Sequence, residues 1–130
     1  MIGGLQVVLD ASALLAALHG EPGGYAVANQ LEIAAICSVN LSEVIQRSLA
    51  RGVEVDGLRD DLVAVGLTIL PFTAGDAEAA AKLWSATHSL GLSLGDRACL
   101  ALAQRLSLPA ITADKVWGQL RIGIPIQVIR

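Results

Sequence analysis

The sequence predicts an α/β fold with a mainly parallel central sheet of four to five strands flanked by helices. Three observations carry this reading. Leu5-Gln6-Val7-Val8-Leu9 is a nearly unbroken apolar run that stops on Asp10, the pattern of a strand buried on both faces in the middle of a parallel sheet. Shorter apolar runs recur at residues 34–38, 67–71, 109–112 and 126–129, separated by segments of helical period, and strands alternating with helices specify parallel crossovers. The composition is 54% hydrophobic but only 3% aromatic, with a mean hydropathy of +0.61. Such a Leu, Ala, Val and Ile supply suits helices packed on a buried sheet. At 130 residues the expectation is one domain, residues 1–130, burying roughly two-thirds of its unfolded surface.

Each element follows from local chemistry. After Asp10, residues 13–18 favour helix, and His19-Gly20-Glu21-Pro22-Gly23-Gly24 closes it with helix breakers. Residues 25–33 resume a helical pattern, and 34–38 form the second strand. From Asn40 onward, Leu41, Val44, Ile45 and Leu49 share one helical face, and Gly52 ends the run. Residues 55–65 read as another amphipathic helix with Arg59, Asp60 and Asp61 on its wet side, and 67–71 as the third strand. Thr73-Ala74-Gly75-Asp76 opens an Ala-rich helix to about residue 89 with a capping pattern. A Gly-bounded link, residues 91–95, leads to a helix over 96–106, a strand over 109–112, a helical turn over 114–117 and an edge strand over 126–129.

Several classes are excluded. No apolar run approaches the roughly 18 to 20 residues of a membrane span. The start lacks a basic n-region before the apolar stretch that Asp10 interrupts, which argues against a secretory signal and for a cytoplasmic protein. Cys37 and Cys99 stand apart from each other and from His19 and His88, so they read as buried free thiols rather than as a zinc site. Nine basic against twelve acidic residues give a net charge of -3, which by itself opposes nucleic-acid binding. That argument weakens where acids hold divalent cations.

Four acids occupy equivalent places in this plan. Asp10 ends the first strand, Glu43 lies in the first turn after the second, Asp96 opens the helix after the Gly-bounded link, and Asp114 follows the fourth strand. Ligands in open parallel sheets bind beyond the carboxyl ends of the strands, so the four can converge. Oxygen ligands without His or Cys select Mg²⁺ or Mn²⁺, and a bound cation relieves their mutual repulsion. Such a site activates water and stabilises a phosphate in in-line displacement. Each acid also has a structural alternative. Asp10 and Asp114 suit N-caps, while Asn40-x-x-Glu43 and Ser93-x-x-Asp96 imitate capping boxes. Asp76, matched to Thr73, is assigned to structure.

The same residues carry a family resemblance. Val8-Leu9-Asp10-Ala11-Ser12-Ala13, Val39-Asn40-Leu41-Ser42-Glu43-Val44, Leu92-Ser93-Leu94-Gly95-Asp96-Arg97-Ala98-Cys99-Leu100-Ala101 and Ile111-Thr112-Ala113-Asp114 resemble the acidic motifs of PIN-domain ribonucleases. More narrowly, they resemble those of the VapC-type toxins of bacterial toxin-antitoxin pairs. The resemblance covers nearly the whole chain and is most specific at Gly95-Asp96-Arg97. It implies a PIN-like fold, a Mg²⁺-dependent endoribonuclease, and a metal site of Asp10, Glu43, Asp96 and Asp114 supported by Ser12 or Thr112. Arg47, Arg97 and Lys115 are the candidate phosphate contacts. The resemblance also implies a homodimer and a cognate antitoxin seated in an apolar groove, with Val44 and Leu58 as expected groove residues. The alternative is a non-catalytic PIN-like module used for binding or assembly. A receiver-like phosphoacceptor ranks third, because paired acids beside the first strand and a strand-end Lys are not evident.

Overall fold

The computed structural model describes residues 2–130. Five strands, β1 (Val7–Leu9), β2 (Ala34–Cys37), β3 (Thr68–Leu70), β4 (Ala110–Thr112) and β5 (Ile126–Val128), form one sheet of order β3-β2-β1-β4-β5. Every neighbouring pair is parallel. The helices are α1 (Ala11–His19), α2 (Gly24–Ala28), α3 (Ser38–Ala50), α4 (Leu58–Ala64), α5 (Ala74–Lys82), α6 (Trp84–Thr87) and α7 (Leu94–Leu106). None of the described helices is long and apolar enough to cross a membrane.

The sheet is covered on both faces, which is why its strands are continuous apolar runs. The pleat sends Val7 and Leu9 to one face and Val8 to the other. On the first face Val7, Leu9, Ile36 and Ile111 pack with Leu14 and Leu15 of α1, Val27 of α2, Val44 of α3 and Leu62 of α4. On the second, Val8, Cys37 and Ala110 meet Ala98, Cys99 and Leu102 of α7 together with Trp117. Central β1 is fully buried, whereas the edge strands β3 and β5 are partly exposed.

The order of the strands opens a crevice in the sheet. The chain steps outward from β1 to β2 to β3, then crosses back to lay β4 against the other side of β1, with Val8 opposite Ala110 and Leu9 opposite Ile111. That reversal makes the gap between β1 and β4 a topological switch point, and ligand crevices open there beyond the carboxyl ends of the strands. Asp10 and Thr112 stand at those two ends.

Helix boundaries depart from the sequence expectation in several places; α1 and α7 each begin two residues early, at Ala11 and Leu94, and four further departures bear on the fold. The helix expected over 55–65 begins only at Leu58, because Gly57 adopts the left-handed region (φ 83°) and no helix runs through it. The segment expected as one helix over 25–33 divides into α2 and a 3-10 turn at Leu31–Ile33. The helix expected to reach residue 89 stops at Lys82 and restarts as α6, where the buried Thr87 hydroxyl donates to the Leu83 carbonyl at 2.9 Å. Finally, α3 starts at Ser38, directly off β2 with no loop. Asn40 therefore lies inside its first turn rather than capping it, and Glu43 sits one turn deeper than expected.

α5 and α7 run antiparallel and are pinned at two points. Arg105, near the end of α7, donates to Asp76 at the start of α5, at 2.8 and 3.1 Å. Arg97, near the start of α7, donates from Nη1 to the Ala80 carbonyl at 2.9 Å. The Thr73–Asp76 capping box is present as the sequence implies.

Candidate active site

Asp10 is the most constrained member of the site. It N-caps α1, its Oδ1 accepting from the Ala13 amide at 2.8 Å. The Ser12 hydroxyl donates to the same carboxylate at 2.7 and 2.9 Å, and Thr112 Oγ1 donates to Oδ2 at 2.5 Å. These hydroxyls are themselves held from β4 and its exit, Ser12 Oγ by the Ala113 amide at 2.9 Å and Thr112 Oγ1 by the Asp114 amide at 3.0 Å. One polar relay thus locks the ends of β1 and β4 together, and the cap and site readings of Asp10 are the same geometry. Ser12 and Thr112, the two residues expected to support the site, are the ones whose hydroxyls hold the Asp10 carboxylate.

The other acids arrive from separate elements. A cleft of about 270 Å³ is lined by Asp10, Ser12, Glu43, Arg47, Ser93, Asp96 and Asp114, with Ala11. Asp96 closes a capping box on α7, its Oδ2 accepting from the Ser93 amide at 2.9 Å. Asp114 caps the following 3-10 turn through the Val116 amide at 3.0 Å. Both alternatives raised by the sequence, cap and cleft wall, hold at once for these residues. Each cap uses one carboxylate oxygen and leaves the other without a hydrogen bond among the described residues.

Glu43 is placed by two residues whose roles the sequence does not reveal. Asn40, 1% exposed, donates from Nδ2 to Glu43 Oε1 and to the Gly95 carbonyl, both at 2.9 Å, tying α3 to α7. Gly95 leaves room for the Glu43 carboxylate. A Cβ built on it would stand 2.5 Å from Glu43 Oε1 and 2.8 Å from its Cδ. The N-x-x-E spacing is the trace of the first device in the sequence, and a glycine directly before Asp96, which the structure places in the first turn of α7, is the trace of the second. Gly95→Ala is therefore expected to push the flexible Glu43 carboxylate out of the cleft while leaving the helices standing. Divalent-ion affinity by titration calorimetry should fall roughly 10- to 100-fold, the usual cost of disturbing a ligand's support, with the melting temperature little changed. An unchanged affinity would show that Glu43 does not need this position.

The three candidate cations separate. Arg47 lines the cleft, its Nη2 3.9 Å from Glu43 Oε2. The bond from Arg97 to the Ala80 carbonyl directs its guanidinium to α5, so Arg97 is a strut between helices rather than a cleft residue. Lys115 follows Asp114 but does not line the cleft.

The cleft is dominated by negative charge. Burial pushes the Asp10 carboxyl up to about 6, and the nearby charge of Asp96 adds to this, against the opposing hydrogen bonds from Thr112, Ala13 and Ser12. The stability consequence has a definite sign. With a folded value above the ordinary 3.8, the native state holds this proton more tightly than the unfolded chain does. The associated stability is complete below about 3.8 and is lost as pH rises through about 6, a penalty approaching about 3 kcal/mol at neutral pH. In chelator, Asp10→Asn should gain on the parent in melting temperature as pH increases across that window. Added Mg²⁺ should raise the parent alone. A pH-independent difference between the two would count against a buried ionised Asp10.

The donor set suits a hard divalent cation, since it is all carboxylate oxygen with hydroxyl support and no thiol or imidazole. It is not a preformed cage: among the described residues, no three or more His, Cys, Asp or Glu side chains are already gathered in metal-binding geometry. Cys37 and Cys99 are buried free thiols, as expected.

Comparison with known proteins agrees with this architecture. The chain superposes on one chain of the structure of VapBC2 from Rickettsia felis bound to a promoter DNA fragment with a TM-score of 0.72 at 16% identity, covering 97% of this chain and 100% of that one. VapC20 of Mycobacterium tuberculosis, a sarcin-ricin loop cleaving toxin, gives 0.70 at 12% identity, covering 92% and 99%. A toxin-antitoxin complex from Klebsiella pneumoniae gives 0.67 at 21% identity, covering 88% and 92%. At these identities the likeness is one of fold. No curated protein sequence matches the chain. A family model described as the PIN domain matches residues 7–122, a span that runs from β1 past β4 and contains all four cleft acids. The strand order, the switch-point crevice and this match together establish that the chain belongs to the PIN-domain family.

Proposed function

We propose that this protein is a Mg²⁺- or Mn²⁺-dependent endoribonuclease, the toxin of a toxin-antitoxin pair acting in the cytoplasm. One observation carries the reading: Asp10, Glu43, Asp96 and Asp114, brought from four elements, line a single cleft at the β1–β4 switch point. These four residues would hold the metal, which when bound lowers the pKa of a coordinated water and shields the charge of a phosphodiester under attack. Ser12 and Thr112 fix the orientation of Asp10. Asn40 and Gly95 set the position of Glu43. Arg47 is the cleft's own cation for a backbone phosphate. Purified protein incubated with total RNA and Mg²⁺ should produce discrete cuts that chelator abolishes, and mapping of the cut ends would give the specificity. RNA left intact in both Mg²⁺ and Mn²⁺ would overturn the proposal.

The open arrangement of the acids favours one competing reading, a non-catalytic PIN module. Calorimetric titration with Mn²⁺ separates the two, because a degenerate module should show no binding that depends on Asp10.

Partner binding fits the α3–α4 side. A cleft of about 400 Å³ there is lined by Leu41, Ile45, Leu49 and Arg59, among others, and Leu49, Val53, Val63 and Val65 are exposed nearby in sequence. Toxin-antitoxin complexes among the fold neighbours support an amphipathic antitoxin segment as its occupant, and the remaining apolar surface supports a homodimer. The groove residues need correction, however. Val44 is fully buried in the core, and Leu58 is packed against it, so polar changes there report on folding. Leu49→Glu is the better probe: it should weaken antitoxin capture at least about tenfold, as loss of an interface anchor does, while RNA cleavage persists. Equal loss of both would place Leu49 in the fold rather than in an interface. Light scattering at micromolar protein tests the dimer, and a monomer would refute it.

A further inference from the structure

Trp84 is the conspicuous misfit of this surface. In a chain that is only 3% aromatic, it is 54% exposed, although burying a tryptophan ordinarily removes a large apolar area from water. Its ring is nonetheless ordered by its neighbour. The His88 imidazole stacks on it at a centroid distance of 4.0 Å and an interplanar angle of 8°, and His88 Nδ1 lies 3.0 Å from the Trp84 carbonyl. One face of the indole is thus covered, and the exposed area belongs to the other face and the edges.

The fold brings the backbone of α6 back toward the rim of the cleft, although Trp84 does not itself line it. Because α5 runs antiparallel to α7, with Asp76 at Arg105 and Ala80 at Arg97, continuing past Ala80 into α6 leads toward the end of α7 that carries Asp96. The Leu92 amide bonds back to the Thr87 carbonyl at 3.4 Å, which places the end of α6 one residue from Ser93, a cleft-lining residue. Summing one helical turn, one hydrogen-bonded step and one peptide puts Trp84 within about 15 Å of Ser93 along the backbone. At about 3.4 Å per nucleotide of a stacked strand, four or so nucleotides cover that distance, and fewer when the strand is extended. Leu94, the residue after Ser93 and the first of α7, is likewise 56% exposed.

Charge explains why such a feature would be needed. The chain carries a net charge of -3, and among the lining residues the cleft offers a single cation, Arg47, against four acids. Phosphate attraction, the usual source of nucleic-acid affinity, is weak here. Stacking of bases on aromatic rings supplies sequence-tolerant affinity without cations.

We propose that the outer face of Trp84, braced by His88, is a stacking platform for an unpaired base of single-stranded RNA entering the cleft. The inference rests on the ribonuclease reading above. The test uses the Asp96→Asn protein, to keep the RNA uncut, and a short unstructured oligoadenylate. Oligoadenylate should quench the emission of Trp84, since Trp117 is fully buried; the quench should vanish in Trp84→Phe. Trp84→Leu should weaken binding about 5- to 150-fold, the range of one lost base–aromatic stack, with little change in salt dependence and unaltered Mn²⁺ affinity. Equal affinity of Trp84→Leu and parent, or quenching that survives in Trp84→Phe, would overturn the platform. So would a Trp84→Leu protein that changes oligomeric state while the parent's emission ignores RNA, which would make the ring a protein contact. If the wild-type chain cuts RNA and Trp84→Leu cuts it with the same KM, the platform fails and the nuclease stands. If the wild-type chain neither cuts nor binds RNA, both fail.

Discussion

Asp96→Asn is expected to lower RNA cleavage by at least about a hundredfold, since a bound metal supplies several kcal/mol of transition-state stabilisation and each 1.36 kcal/mol is about tenfold in rate. The substitution is chosen for what it keeps. Asp96 also closes the capping box at the start of α7, where its Oδ2 accepts from the Ser93 amide. Asparagine retains an oxygen for that bond, so the helix should hold to within a few tenths of a kcal/mol. What it removes is the charge facing Asp10, which raises the proton affinity of that buried carboxylate. The variant should therefore combine lost cleavage and weakened Mn²⁺ binding with a melting temperature, in chelator, equal to or above that of the parent. Cleavage at the parental rate in Mg²⁺ would remove Asp96 from the mechanism. A collapse in stability would mean that its cap, and not its place in the cleft, dominates.

Asp76→Ala should do the opposite, costing stability and sparing chemistry. Asp76 is 2% exposed and receives two bonds from Arg105, at 2.8 and 3.1 Å, plus one from the Thr73 amide at 3.3 Å. Burial alone would raise its pKa, but the Arg105 and Thr73 bonds outweigh burial and hold it below the ordinary carboxylate range. Removing one partner of a buried pair costs about 3 to 5 kcal/mol. The Arg105 side chain is 40% exposed and can turn to water, so a value of about 3 kcal/mol is expected here. That corresponds to a fall of roughly 10 °C in melting temperature for a domain of this size. Because Asp76 pairs at the end of α7 remote from Asp96, cleavage per folded molecule, measured well below the transition, should be unchanged. A melting temperature within a degree or two of the parent would show that the pair contributes nothing net.

The contrast between Asp76 and Asp96 also shows what a capping motif can and cannot reveal. Thr73-x-x-Asp76 and Ser93-x-x-Asp96 have the same form, and both make the same reciprocal box. One acid pairs with an arginine on a neighbouring helix, and the other faces a cleft shared with three acids. Local spacing sets the cap in each case. The second partner comes from elements far away in the chain, which no local pattern encodes.

Much of the frame was legible because it rests on short-range chemistry. Alternating apolar runs and helical periods specify a parallel α/β fold, and the stop of the Leu5–Leu9 run on Asp10 marks a strand end that also starts a helix. The four acids were identifiable for the same reason, each standing at or near the junction of a strand or loop with a helix or turn. Tertiary structure decided the rest. Only the crossover that sets β4 against β1 lets the Thr112 and Ser12 hydroxyls lock Asp10. Arg97, adjacent to Asp96 in sequence, is turned by about 100° around the helix and meets the Ala80 carbonyl instead of the cleft. Asn40 reads as a cap, yet α3 begins two residues earlier, so its amide spans to Gly95 of α7. The sequence by itself determined which segments are strands and helices and which ends carry charge, because those depend on neighbours within a turn or two. Which charges meet, and which side chains hold them in place, was decided by contacts 17 to 102 residues apart, where packing of whole elements outweighs local preference.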